Sequence, residues 1–219
     1  MHYAVKRFCS NRFETNTYLV SGYHSDDDSK PACRFLVDPD GDKKEVKNYL
    51  RFLLPCCDGI ICTHGHFDHI RALPYLSRVL PTVPIFCGRD DLCFFGEEAA
   101  EIHIDDFWPF GMSGFVENFI MTEGPIPRPN RILKDGDTLP FAPEWKIFHT
   151  PGHSPGSICI YNANANTVFS GDLIFDDGCL GKTDSLGGDY DQLLKSVAWI
   201  GTLPHGTKVL PGHGEYFYL

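Results

Sequence analysis

Thr63-His64-Gly65-His66-Phe67-Asp68-His69 constrains this chain more than any other stretch. Three imidazoles and a carboxylate fall within six consecutive positions, directly after the apolar run Gly59-Ile60-Ile61-Cys62. A short apolar run that ends in a ligand-rich loop reads as a buried strand delivering metal-binding groups at its end. The pattern H-x-H-x-D-H is far more specific than a single pair of histidines. It predicts the start of a dinuclear metal site, so the remainder of the chain should supply further ligands.

Three later motifs meet that requirement. Thr150-Pro151-Gly152-His153-Ser154-Pro155-Gly156 places a histidine in a tight loop after a strand, and Leu210-Pro211-Gly212-His213-Gly214 does the same. Phe169-Ser170-Gly171-Asp172 places an aspartate in an equivalent position. Taken alone, each is an ordinary polar residue at a strand end. Together with the first cluster they form a seven-residue set of His64, His66, Asp68, His69, His153, Asp172 and His213. Imidazole and carboxylate donors suit zinc, iron or manganese, and no cysteine falls in the ligand motifs. Two such metals about 3.5–4 Å apart can share a water and lower its pKa towards ~7, so no serine or cysteine nucleophile is needed.

The remaining pattern describes a sheet-and-helix scaffold. Strands are predicted at Tyr3–Phe8, Thr15–Ser21, Arg34–Val37, Gly59–Cys62 and Ile85–Cys87, with an acidic turn at Asp26-Asp27-Asp28 and a Pro/Gly turn at Asp38-Pro39-Asp40-Gly41. Helical spacing covers Lys43–Leu54 and Phe67–Leu80, the latter interrupted by Pro74. Strands return at Thr138–Phe141, Trp145–His149, Ser157–Tyr161, Thr167–Ser170 and Val209-Leu210, with a last helix at Asp189–Ile200. Ser157–Tyr161 and Thr167–Ser170 read as a hairpin. The whole of 1–219 is expected to be one domain. Residues 90–129 form an insertion within it, with a helix over Asp91–His103, an aromatic-rich turn around Phe107, Trp108 and Phe110, and an extended Thr122–Pro129. That insertion either buries its aromatics on the domain or walls a substrate pocket.

Bulk properties narrow the partners. The 219 residues carry a net charge of -10, which argues against nucleic acid as the main partner. Two divalent ions would bring it to about -6. Nine cysteines with no C-x-x-C, and an N-terminus without an apolar signal core, predict reduced thiols in a cytoplasmic protein. No apolar run approaches the ~18 residues of a membrane span. His103, His149 and His205 lie outside the ligand motifs and are expected to be structural, as are Cys56 and Cys57.

The ligand motifs, with Asn16-Thr17-Tyr18 near the start, resemble those of the metallo-β-lactamase superfamily, specifically its glyoxalase II-like hydrolases (hydroxyacylglutathione hydrolase-like thioesterases). The resemblance implies an α/β fold in which two mixed sheets are flanked by helices, an αββα sandwich with the metals at one edge. It implies that His64, His66 and His153 hold one metal, that Asp68, His69 and His213 hold the other, and that Asp172 bridges them together with a hydroxide. Asp68 has a second implied role in orienting that hydroxide. Gly181-Lys182-Thr183-Asp184-Ser185-Leu186-Gly187-Gly188-Asp189 resembles the G-R-T-D-x-x-G-G-D signature of small members, with Lys182 for Arg. Lys182 and Thr183 are therefore the candidate substrate-binding residues, although the loop also serves simply as a lead into the last helix.

The expected activity is hydrolysis of a small thioester. Larger relatives continue into a helical segment that helps bind glutathione, and here the chain ends six residues after His213, so the resemblance carries over the metal chemistry but not the specificity for glutathione thioesters. A mononuclear iron persulfide dioxygenase, using His64, His153 and Asp172 alone, is the alternative enzyme. A non-catalytic metal-binding or sensory module is the alternative from another class. Nuclease and β-lactam activities fit less well, the first because of the acidic charge and the second because of the Asp68-His69 pair.

Overall fold

The computed structural model describes residues 1–25, 29–53 and 56–219; the acidic turn Asp26–Asp28 and the Leu54 end of the first predicted helix lie outside them. Two six-stranded sheets stack face to face. The first runs β1 (His2–Cys9), β2 (Asn16–Tyr23), β3 (Cys33–Val37), β4 (Gly59–Ile61), β5 (Ile85–Gly88) and β6 (Arg131–Leu133) in spatial order. β1 to β3 pair antiparallel and β3 to β6 parallel. The second sheet consists of β7 (Thr138–Leu139), β8 (Ala142–His149), β9 (Ile158–Asn162), β10 (Thr167–Gly171), β11 (Lys208–Pro211) and β12 (Phe217–Tyr218), again adjacent in chain order. Only β10 and β11 are parallel there.

The period-2 alternation of the strands makes four layers out of these two sheets. On β3, Phe35 and Val37 face the second sheet, whereas Leu36 faces outward; on β4, Ile61 faces inward and Ile60 outward. The inter-sheet layer joins Tyr18, Phe35, Ile61 and Phe86 to Trp145, Ile147, Ile160 and Phe169. The outer face of the first sheet packs on α1 (Lys43–Leu53) through Val46, Tyr49 and Leu53, and on α2 (Phe67–Ile70) and α3 (Leu73–Val79) through Phe67, Ile70, Leu73 and Leu76. Cys159, Val168 and Val209 on the outer face of the second sheet pack on Leu193 and Ile200 of α6 (Tyr190–Ile200). Strands apolar on both faces are what a helix-covered sheet requires, and the αββα expectation holds.

Several local expectations shift. The helix predicted over Phe67–Leu80 breaks at Arg71-Ala72, and Pro74 falls in the first turn of the second piece, where its missing N–H costs nothing. The break lets Arg71 bury its guanidinium, which donates to Asp40 from Nε at 2.6 Å and Nη2 at 3.2 Å. The Asp91–His103 region is two 3₁₀ turns, Arg89–Phe94 and Glu97–Ala99, running into α4 (Ala100–Asp106). A helix absent from the sequence reading, α5 (Ser113–Glu123), follows, and the short strands β6 and β12 were equally unmarked. Phe94, Phe95, Val116 and Ile126 bury this segment against the helical layer, but Trp108 and Phe110 stay exposed. All nine cysteines are free, and no helix among the described residues is long and apolar enough to cross a membrane.

Candidate metal centre

All seven predicted ligands meet where strands of both sheets end. His64, His66, Asp68 and His69 follow β4; His153 lies in the loop between β8 and β9; Asp172 follows β10 and His213 follows β11. Strand ends of two stacked sheets are rigid anchors, which is how residues 149 positions apart in sequence come to share a site.

The side chains separate into two groups. His66 Nδ1 lies 2.8 Å from His153 Nε2, which lies 3.2 Å from His64 Nε2. In the second group His213 Nε2 is 3.2 Å from Asp68 Oδ2 and 3.3 Å from His69 Nε2. Asp172 faces both: Oδ1 is 3.3 Å from His69 Nε2, and Oδ2 is 3.4 Å from His213 Nε2 and 3.6 Å from His153 Nε2.

The outer hydrogen bonds fix which nitrogens point inward. The Thr63 hydroxyl donates to Asp38 Oδ2 at 2.6 Å, so at 3.0 Å it accepts from His64 Nδ1–H and leaves Nε2 bare. The Lys182 carbonyl accepts from His153 Nδ1–H at 2.7 Å, with the same result. His69 Nδ1–H donates to Asp38 Oδ2 at 3.1 Å. Lone pairs of His64 Nε2 and His153 Nε2 thus face each other with no proton between them, and the buried Asp172 Oδ1 accepts no hydrogen bond. A cation between such donors satisfies them, and the residues fit metal ions.

Charge points the same way. Burial alone would lower His69 and His213, but Asp172 and Asp68 outweigh it, holding His69 well above its usual value and His213 at about 10. Burial likewise opposes ionisation of Asp68 and Asp172, yet the adjacent His69 and His213 keep both carboxyls below the ordinary range. This half of the site draws positive charge. His64 and His66 are instead pushed well below the usual histidine range, by burial first and then by neighbouring imidazoles, so they remain neutral donors.

Two buried aspartates complete the arrangement, and neither was identified from sequence. Asp38 lies within reach of His64 and His69 and forms a third possible metal-binding cluster with them. Its oxygens are already engaged by the Thr63 N–H, the Thr63 hydroxyl and His69, so it supports ligands instead of binding a metal. Asp91 clamps two ligand loops together, accepting from Gly65 N at 2.8 Å, Ser154 Oγ at 2.7 Å and Gly156 N at 2.6 Å. Asp38 sits in a Pro/Gly turn at φ 51, and Asp91 is the first residue of the helix expected over Asp91–His103. Only the positive φ of a non-glycine residue marks Asp38 as special, and the sequence does not display it. Asn16 also acquires a role, its side-chain amide donating to the Pro211 and Gly214 carbonyls and thereby pinning the His213 loop.

A cavity of about 760 Å³ opens over the site, with His66, Asp68, His153, Asp172 and His213 in its floor. Lys182 lines it and places Nζ 4.5 Å from the centre of the Phe110 ring. Thr183 does not line it; its backbone packs against Gly188. A larger cleft of about 850 Å³ beside Lys43, Arg71 and Glu123 contains none of the seven ligands. His103 and His149 are structural in the sense that each ring bonds a backbone carbonyl, of Phe94 and Pro155 respectively.

Comparison with known proteins agrees with the geometry. Residues 12–213 match the family model described as the Metallo-beta-lactamase superfamily. The chain is 31% identical over 183 residues to the probable metallo-hydrolase YqgX of Bacillus subtilis, covering 82% of this chain and 79% of that one. It is 29% identical over 206 residues to the hydroxyacylglutathione hydrolase GloC of Haemophilus influenzae, covering 87% and 83%. Among solved structures, TTHA1623 in a di-iron-bound form matches with a TM-score of 0.76 and 28% identity, over 98% of this chain and 94% of that one.

Proposed function

The chain belongs to the metallo-beta-lactamase superfamily, and from that premise we propose that it is a metal-dependent hydrolase of a small thioester. His64, His66 and His153 would hold one divalent ion and Asp68, His69 and His213 a second, with the Asp172 carboxylate within reach of both groups. Zinc is the first candidate, with iron or manganese as alternatives; the di-iron form belongs to a relative. When bound, such ions supply a hydroxide at neutral pH and polarise the scissile carbonyl.

The observation that carries this reading is the Asp172 carboxylate, which spans both groups: Oδ1 lies 3.3 Å from His69 Nε2, and Oδ2 lies 3.4 Å from His213 Nε2 and 3.6 Å from His153 Nε2. Asp68 faces the cavity and accepts the Thr15 hydroxyl at 3.1 Å, which fixes its orientation and suits it to aligning a nucleophilic water. Lys182 supplies a cation at the cavity wall for an anionic substrate group. Thr183 acts with it by shaping the loop. The partner is a small molecule, with no nucleic acid or membrane involved, and the free thiols support a cytoplasmic setting.

The test is elemental analysis of the purified protein combined with a panel of thioesters. Two metals per chain and thioester turnover are expected. About one iron per chain with oxygen uptake on a persulfide would replace this reading with the dioxygenase, and full metal loading without turnover would revive the non-catalytic module.

A further inference from the structure

The cavity wall opposite the ligands is largely aromatic. Phe107, Pro109, Phe110 and Met112, between α4 and α5, line it together with Phe13 and Phe175. Three of these rings pack in series: Phe13 and Phe107 meet edge to face at 5.2 Å, and Phe107 and Phe110 are 6.1 Å apart. The wall reaches the ligands, since the Phe175 ring centre lies 6.0 Å from that of His213. Phe110 remains 56% exposed and adds its ring to this contiguous apolar lining. At the rim, Asp105, Asp106 and Asp184 outnumber the cations Arg12 and Lys182. Burial, then the nearby Asp184 and Asp105, raise Asp106 to about 6, a sign of how crowded that rim is with carboxylates.

We infer that this wall is an acyl pocket and that the favoured substrate carries an apolar acyl group, aliphatic or aromatic, instead of a short hydroxyacyl group. The inference rests on the thioesterase reading. A carbonyl held at the ligands has its acyl carbon within reach of Phe175, so the group attached there runs along the rings towards Phe110. A lactoyl group laid on Phe13, Phe107, Phe110 and Phe175 would place its hydroxyl against rings that offer it no hydrogen bond, which is a desolvation cost. Each methylene laid on the wall instead contributes up to about 0.8 kcal/mol, so the three carbons by which hexanoyl exceeds lactoyl are worth nearly tenfold in affinity if half of that is realised, before the desolvation of the hydroxyl is added.

The test uses the full chain loaded with zinc and thioesters of one small neutral thiol, N-acetylcysteamine, bearing lactoyl, hexanoyl or phenylacetyl groups. Hexanoyl and phenylacetyl thioesters should exceed the lactoyl one in kcat/KM by about tenfold or more. Phe110→Ala and Phe175→Ala should collapse that ratio, mainly through KM, with metal content and melting temperature checked in parallel. Phe110 is exposed enough that its removal does not threaten folding, and Trp108→Ala, 76% exposed and outside the cavity lining, should leave the ratio unchanged. Preference for the lactoyl thioester, or a ratio indifferent to Phe110→Ala in a folded, metal-loaded protein, would overturn the acyl pocket while leaving the thioesterase standing. No turnover of any of the three would overturn the thioesterase reading itself, and this inference with it.

Discussion

Asp38 Oδ2 accepts a hydrogen bond from His69 Nδ1 at 3.1 Å, and the same oxygen accepts the Thr63 hydroxyl that receives His64 Nδ1–H. One buried carboxylate therefore sets the ring orientation of one ligand in each half of the site. Carboxylates behind metal-bound histidines typically govern 10–100-fold in affinity. Asp38→Ala should weaken metal binding by about that factor at both positions, measured by competition with a chromophoric chelator. Wild-type affinity in that variant would mean the rings are held by packing alone.

The ligand assignment makes a sharper contrast. Asp172→Ala and His64→Ala should each strip metal and abolish hydrolysis. His103→Ala should keep its full metal content, because His103 bonds only the Phe94 carbonyl at 2.8 Å among the described residues. Unchanged stoichiometry in Asp172→Ala would refute a bridging carboxylate.

Backbone approach at the ligands leaves no room for side chains. A Cβ on Gly212 would collide with Asp172 Oδ1 and lie 2.6 Å from His69 Cε1; one on Gly181 would collide with the Asp172 carbonyl oxygen and lie 2.9 Å from His153 Nδ1. Gly212→Ala should therefore lower metal affinity by at least about tenfold, since ligand geometry is intolerant of small displacements. Gly114→Ala, in α5 with open space around it, should be neutral or stabilising by up to about 1 kcal/mol. Thermal melting and metal titration of the pair separate a local steric effect from a general one.

Acid stability should report His103. Burial lowers it from 6.5 to about 4, so the folded protein holds it neutral while the unfolded chain takes up a proton. Its contribution is fully present above about pH 6.5 and is lost as pH falls towards about 4, amounting to about 3 kcal/mol. Denaturant titrations from pH 7 to 4 should show a shallower decline for His103→Gln than for the wild type. Parallel curves would mean the ring is hydrated in the folded state.

Asp91 offers the clearest separation of scaffold from chemistry. It accepts three hydrogen bonds while fully buried, and burial leads the causes that raise its pKa. Asp91→Ala would leave the donors of Gly65, Ser154 and Gly156 buried without this acceptor, at about 1–3 kcal/mol each at most. A loss of several kcal/mol by denaturant unfolding is expected. A loss below about 1 kcal/mol would show that water replaces the carboxylate.

The four-layer fold was legible through the resemblance carried by the ligand motifs; the strand pattern alone indicated only a sheet-and-helix scaffold, although residues such as Phe35, Leu36 and Val37 are apolar on both faces and demand cover on both sides. The seven-residue constellation was equally legible, since histidine and aspartate cluster directly after apolar runs. Short edge strands such as β6 and β12 lack that signal: three residues or two carry no period. The helix α5 was missed because its apolar residues do not confine themselves to one face.

What the sequence determined by itself was local and chemical: which side chains could bind a metal, and that each sits at the end of a strand. The tertiary structure decided which of them meet, how the donors divide around Asp172, and which nitrogen of each ring points inward. It also turned Asp38 from a turn residue and Asp91 from the first residue of an expected helix into the supports of the site. Those facts depend on contacts between residues 25 to 145 positions apart, and a linear sequence does not show which distant group will satisfy a buried hydrogen bond until the chain is packed.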